Sequence, residues 1–210
     1  VMYVKKQDNP IPLNWDAETI VTNYFQCNYW GGKGAKRAVL ARELNLDEIL
    51  NIKKHANVEI EVQVHGMTCM FQSKRMLLGN YYTFQDRQMK IQRSENDQDL
   101  LLYDEERENK YPVFEDYNGT HIMSPNDICL IEELEPFFEA NIDSFKIDGI
   151  LQSEAYINTV TAQYREAIDL YHEDPEAYED EKFMLIDPIE EIQPEHRPFD
   201  EGFLYKQTVY

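Results

Sequence analysis

Arg37 to Val64 reads RAVLARELNLDEILNIKKHANVEIEVQV, and this stretch decides the fold class. Arg37-Ala38-Val39-Leu40-Ala41 is a short apolar run that suits a buried strand, and Leu46-Asp47-Glu48-Ile49-Leu50-Asn51-Ile52 suits a helix. A second buried strand follows at Glu59 to Val64. Strand, helix and strand within about thirty residues mark a parallel βαβ unit with a right-handed crossover. Upstream, Gly31-Gly32-Lys33-Gly34 stops whatever precedes it, and Asn14 stands as an N-cap before Ile20, Val21 and Phe25, predicting a short amphipathic helix. Downstream, Leu101-Leu102-Tyr103, Tyr111-Pro112-Val113-Phe114 and Thr120-His121-Ile122 are short aromatic and β-branched pieces broken by turns, the pattern of a small antiparallel insert. Parallel logic then resumes, with Leu130 to Ala140 mainly helix and Ser144 to Ile147 a strand. A long helix from about Ser153 to Tyr171 places Tyr156, Val160, Tyr164, Ala167 and Tyr171 on one face.

The fold class expected is α/β, a partial TIM-like (β/α) barrel with a small antiparallel β insert and an acidic carboxy-terminal tail. Residues 1–99 supply βα units, 100–125 the insert, 126–174 the remaining βα unit and long helix, and 175–210 a proline-rich tail packed on the barrel. Two or three βα units in 210 residues do not close an eight-stranded barrel, which takes about 250 residues, so the missing strands would precede Val1.

A composition with 42% hydrophobic and 12% aromatic residues can offset the entropy of ordering the chain, which excludes a disordered acidic protein. The formal net charge of -20 repels phosphate backbones unless a local basic face overrides it. About half of that charge is local, because from Glu173 to Glu201 the acidic residues face only Lys182 and Arg197. Cys27, Cys69 and Cys129 are odd in number and far apart, forming neither a disulfide framework nor a CxxC knuckle, so a reducing cytoplasm is expected. No apolar run approaches the roughly 20 residues that span a bilayer.

Glu61-Val62-Gln63-Val64-His65-Gly66-Met67-Thr68-Cys69 runs out of a strand end, where barrel enzymes place their chemistry. His65 and Cys69 are candidates for acid–base work or metal binding; the alternative is a core imidazole beside a buried thiol. At a second strand end, Lys146 and Asp148 form either an inward-facing charge pair or a solvated rim pair. Arg42 and Glu43 admit the same two readings, with anion binding as the functional one. Lys74, Arg75, Arg87, Lys90 and Arg93 are interleaved with aromatic residues including Tyr81, a composition that contacts phosphates and stacks on unpaired bases, or simply balances the acidic tail. HExxH, GxSxG, GxGxxG and phosphate-loop motifs are absent, and the five histidines lack metal-ligand spacing, so no metal site is expected.

The ordered blocks Arg37–Leu50, Glu61–Cys69, Thr120–Glu133, Asp143–Gly149, Tyr156–Ile168 and His196–Tyr205 resemble the collagenase-like peptidase family, whose members are associated with tRNA uridine 5-hydroxylation and other RNA hydroxylations. Its signature is E-x-F-x-x-G-small-aliphatic-C, four residues, then G-x-C-x-aliphatic-S. Glu61, Gly66, Cys69 and Leu78 match it, while Gln63, Met67, Thr68, Lys74, Met76 and Gly79 depart. Met76 stands where the pattern has cysteine, and Arg87 to Arg93 contains none of the cysteines that continue in cluster-bearing relatives. Cys129 aligns with a family cysteine, and Ile150 replaces the usual arginine. The resemblance thus implies a cluster-free member without cofactor, acting in tRNA wobble-uridine hydroxylation beside a cysteine-complete paralogue or by self-association, with tRNA as a further candidate partner. The alternatives are a peptidase, as the family name says, and a non-catalytic RNA- or partner-binding scaffold.

Overall fold

A computed structural model describes residues 2–6, 11–85, 100–106 and 109–206. It divides into two compact units, the first made of Val1–Gly66 with Ile128–Tyr210, the second of Met67–Asp127.

In the first unit the elements are α1 (Met2–Lys5), β1 (Asn14–Asp16), α2 (Tyr24–Gly32), β2 (Arg37–Val39), α3 (Leu46–His55) and the opening of β3 (Glu59–Ser73). α3 begins at a reciprocal cap: the Asn45 side chain accepts from the Glu48 amide, and the Glu48 carboxylate accepts from the Asn45 amide. Such a box satisfies two amides that the helix leaves orphaned. The helix turns Ile49 and Ile52 inward. β1, β2 and β3 lie parallel, with Asn14 beside Arg37 and Arg37 beside Glu59, which is the βαβ geometry expected.

The Asn14 segment differs from expectation. It is a strand with only Trp15 buried, and the helix starts later, at Asn23, whose side chain accepts from the Gln26 amide. Alternating burial and a parallel neighbour in β2 outweigh the local capping preference of an asparagine.

The chain re-enters this unit at Ile128, late in a strand to be described with the second unit, and adds α5 (Glu135–Glu139), β7 (Ser144–Asp148), α6 (Glu154–Glu173), α7 (Pro175–Leu185), α8 (Asp187–Glu190) and β8 (Phe199–Asp200). The helix expected over Leu130–Ala140 is confined to α5, because two tyrosines hold the preceding residues extended or turned. Tyr164 Oη donates to the Val64 carbonyl (2.7 Å) and accepts from the Leu130 amide (3.1 Å). Tyr178 Oη donates to the Ile131 carbonyl (2.8 Å) and accepts from the Leu134 amide (3.3 Å). α6 buries Tyr156, Val160, Tyr164 and Ala167, the stripe read from the sequence. They join Trp15, Ala38, Ile60, Val62, Val64, Phe137 and Tyr178 in one core. Each fully buried aliphatic or aromatic side chain there contributes about 1.5–3 kcal/mol. The acidic carboxy-terminal segment is part of that core through Tyr178, Leu185, Ile189 and Leu204.

β7 pairs parallel with β3, from Glu61 beside Ser144 to Gly66 beside Asp148, with a register shift between Gln63 and His65 that leaves Val64 as a bulge. Bulged residues leave the ladder. The Val64 carbonyl is instead taken by Leu130 N–H and Tyr164.

In the second unit β3 runs on to Ser73 and is followed by α4 (Leu77–Phe84), β4 (Leu100–Asp104), β5 (Asn109–Asp116) and β6 (Gly119–Cys129). β4, β5 and β6 are antiparallel neighbours. The hairpin turns at Tyr117-Asn118 and not, as expected, at Asn118-Gly119; Gly119 opens β6 with φ 122°, and an added Cβ would lie 1.9 Å from the Ser73 carbonyl oxygen. α4 is seated on Glu115, a buried residue whose carboxylate accepts from the Leu78 and Gly79 amides (2.8 and 2.9 Å) and from the Thr120 hydroxyl (2.5 Å). A carboxylate at the first turn of a helix is favourably placed against the helix dipole. Glu115→Ala is therefore expected to cost about 2–3 kcal/mol, since it strands two amides with no carboxylate to meet them. Urea unfolding of the variant measures the loss, and an unchanged midpoint contradicts the arrangement.

Among the described residues the fold is mixed α/β, with eight strands and eight α-helices. The hydrogen-bonded path β1-β2-β3-β6-β5-β4, with β7 on β3 and β8 on β6, is open and closes no barrel. No described helix is long and apolar enough to cross a membrane.

Candidate functional site

Side chains alternate along a strand, and those of β1, β2, β3 and β7 sort by chemistry. Trp15, Ala38, Ile60, Val62 and Phe145 face the helices in the core. Asn14, Asp16, Arg37, Glu59, Glu61, Gln63, Ser144 and Lys146 take the alternate positions, and registered neighbours across a parallel sheet share a face. The result is a parallel sheet with one apolar face and one mainly charged face, on which Val39, beside Asp16 and Glu61, is an apolar exception.

The charged face is layered. At its base the Arg37 guanidinium reaches Glu59 (2.9 Å), Glu61 (3.0 Å) and Ser144 Oγ (3.0 Å), and Ser144 donates to Glu61 (2.8 Å). Burial works against the Arg37 charge, but hydrogen bonds to the two carboxylates outweigh it and raise its pKa further. Nearer the carboxy-terminal ends of the strands, Lys146 Nζ lies 3.5 Å from Asp16, and Arg42 lies 4.0 Å from Asp148. Lys146 and Asp148 thus take different partners. Both pairs are long for charge-assisted bonds. They leave cations and anions available at the sheet edge where open α/β folds bind their ligands. Buried Gln63 stands in register with Lys146, and a small cleft beside it is lined mainly by core side chains, among them Leu44, Ile49, Val62 and Leu130, with Arg42 and Glu201. Glu43 is exposed.

His65 does not face solvent. It is fully buried at the end of the first unit's β3, with its Nε2 2.9 Å from Tyr156 Oη and its ring 5.6 Å from both Tyr164 and Phe199. Cys69 belongs to the second unit, half-buried, its thiol donating to the Phe71 carbonyl. Lys74 and Arg75 are exposed in the turn before α4, and Tyr81 is exposed on α4. Arg87, Lys90 and Arg93 lie outside the described residues.

Cys27 and Cys129 are buried in the first unit, and burial pushes both thiols up to about 11. Cys129 Sγ also lies 3.8 Å from Tyr164 Oη. Two protonated core thiols and a third in the other unit do not fit a centre that needs four thiolates. Among the described residues no three His, Cys, Asp or Glu side chains gather as metal ligands. In the native protein an alkylating reagent is expected to modify Cys69 at neutral pH and to spare Cys27 and Cys129 until denaturant is added. Mass spectrometry of the intact protein counts the adducts, and rapid native labelling of all three would contradict these positions.

Sequence reasoning missed three residues of this site: Asp16, Gln63 and Tyr156. Asp16 pairs with Lys146 across 130 positions, and Tyr156 meets His65 across 91. For Gln63 a signal was present, the polar alternation through Glu59, Glu61 and Gln63.

Residues 1–209 match the model of Peptidase family U32. The whole chain is 56% identical to tRNA hydroxylation protein P2 of Bacillus subtilis, covering 68% of that protein. Over 83% of the chain it is 33% identical to tRNA hydroxylation protein P1 of the same organism, covering 42% of it. Over 99% of the chain it is 26% identical to tRNA hydroxylation protein P of Escherichia coli, covering 54% of it. No solved structure matches the chain. With a family match running through nearly all of its length and an open sheet that carries the family's strand-end motif, the chain belongs to Peptidase family U32.

Proposed function

We propose that the chain works in the 5-hydroxylation of wobble uridine in tRNA, in the cytoplasm and together with a cysteine-complete paralogue. The observation that carries this reading is the 56% identity, over every residue of the chain, to a protein named for tRNA hydroxylation. The geometry supports it through the charged face at the carboxy-terminal ends of β1, β2, β3 and β7, which we take as an arc of a barrel wall whose interior contacts the substrate. In that site Arg42 and Lys146 meet anionic or carbonyl oxygen, Asp16 and Asp148 hold the two cations in place, and Gln63 completes the polar lining, with His65 buried on the opposite face. Lys74, Arg75 and Tyr81, with Arg87, Lys90 and Arg93, provide phosphate and base contacts.

The cofactor side of the proposal is that this polypeptide binds no iron–sulfur cluster and that the paralogue supplies it. Stoichiometric iron and sulfide in the purified chain would sink that part. The family-level word peptidase adds no separate observation, and the charged face has no arrangement of nucleophile, base and oxyanion donors that would recommend proteolysis. The test of the main reading is a strain deleted for this gene. Its tRNA should lose hydroxylated uridine, as seen by mass spectrometry of nucleosides, and regain it on re-expression; an unaltered nucleoside profile in a strain with no second copy contradicts it.

A further inference from the structure

We infer that Tyr156 and Gln193 are positioning residues that hold His65 as its Nε2-protonated tautomer, so that Nδ1 is the basic atom of the ring. One group in this chain of bonds has a fixed role. The Arg197 backbone carbonyl can only accept, and Gln193 Nε2 lies 2.7 Å from it, so the amide's NH2 faces Arg197. Its oxygen then faces the other way, 2.6 Å from Tyr156 Oη, and an amide oxygen can only accept. Tyr156 has one proton, which this bond uses. The remaining contact, 2.9 Å between Tyr156 Oη and His65 Nε2, therefore requires the hydrogen to be on the histidine. A neutral imidazole with a proton on Nε2 carries its lone pair on Nδ1.

The chain of bonds is a clamp and not a proton wire. It ends in an amide, which does not readily take up the tyrosine proton, so Nε2 stays protonated and the lone pair stays on Nδ1, an atom buried from solvent. The carboxy-terminal segment supplies Gln193, the Arg197 carbonyl and the Phe199 ring, and this links that acidic, proline-punctuated stretch to the middle of β3. The tautomer does not rest on the function proposed above.

The experiment is long-range proton–nitrogen NMR on the full-length protein labelled with 15N-histidine, at alkaline pH where further titration changes nothing. His65 is identified by the signal lost in His65→Asn. The expected result is a single tautomer, with Nε2 pyrrole-like and Nδ1 pyridine-like. Tyr156→Phe, which keeps the ring and removes the hydroxyl, should convert this to a mixture. Gln193→Met should do the same, because Tyr156 is then free to turn its proton toward Nε2. Tyr164→Phe is the control: its ring is equally close to His65, but its hydroxyl serves Val64 and Leu130, so the tautomer should stay single. An Nδ1-protonated or mixed wild type overturns the inference. So does a tautomer that neither Tyr156→Phe nor Gln193→Met alters. Because the readout needs no tRNA, its failure is separate from a failure of the hydroxylation reading.

Discussion

Gly66→Ala is expected to lower the stability of the protein by about 3 kcal/mol or more. Gly66 has φ 103°, a backbone conformation that side-chain-bearing residues rarely adopt, and an added Cβ would lie 2.0 Å from the Asp148 carbonyl oxygen. The obstacle is backbone, so no rotamer change relieves it. Either β7 moves away from β3 or the last two registered pairs, His65 with Ile147 and Gly66 with Asp148, come apart. Both outcomes displace Lys146 and Asp148 from the charged face, so the variant should lose function as well as stability. Gly32→Ala is the matched control, since nothing lies within 4 Å of the added carbon there. Urea unfolding of the two variants against wild type settles the comparison: a Gly66→Ala midpoint as high as that of Gly32→Ala contradicts the parallel register of β3 and β7.

The second large effect is expected from Lys146→Met, and it falls on activity. The Lys146 ammonium pairs with Asp16 at 3.5 Å, and both side chains are partly solvated, so the pair is of the kind that contributes little to stability. Methionine keeps most of the aliphatic stem. The midpoint of unfolding should therefore remain close to wild type, while hydroxylated uridine in tRNA from cells carrying the variant falls by about tenfold or more, the effect of losing about 1.4 kcal/mol of contact with the reacting complex. A fully active variant would remove Lys146 from the site. Asp16→Asn, which keeps the shape and cancels the charge, should give a smaller loss of the same kind.

The parts of this fold that could be read from the residues are those with strong periodicity. Ile49 and Ile52, at a spacing of three, mark the inward face of α3, and Tyr156, Val160, Tyr164 and Ala167 mark that of α6. Asn118-Gly119 signalled the hairpin, although the loop falls one residue earlier, at Tyr117-Asn118, with Gly119 already paired to Asp116. Short elements were not. Asn14-Trp15-Asp16 is three residues long, too short for a period to show, and an asparagine before an apolar run looks like a helix cap; only its pairing with β2 makes it a strand.

The site was half legible. Asp148 stands at a strand end in the sequence and in the structure, whereas His65, expected at the end of a strand closing at Val64, lies in the middle of β3 because the strand runs on to Ser73; the partners of these residues do not follow from spacing. Lys146 and Asp148 are two residues apart and look like a pair, yet the pleat and the neighbouring strands direct one to Asp16 and the other to Arg42. Tyr156 reads as one more core position on the α6 stripe, and its ring is buried there; its hydroxyl nevertheless meets His65 and Gln193. Such residues serve packing and polar bonding together, and only the packing leaves a period in the sequence.

The central claim is that the charged face formed by β1, β2, β3 and β7 contacts the tRNA that is hydroxylated. Cross-linking tests it most directly, with tRNA that carries a photoactivatable uridine at the wobble position, the full-length protein with its paralogue present, and peptide mapping by mass spectrometry. The account predicts cross-links in the peptides that contain Arg42, Gln63 and Lys146, weakened in Lys146→Met. Cross-links confined to the helical surface, or to the paralogue alone, would contradict it.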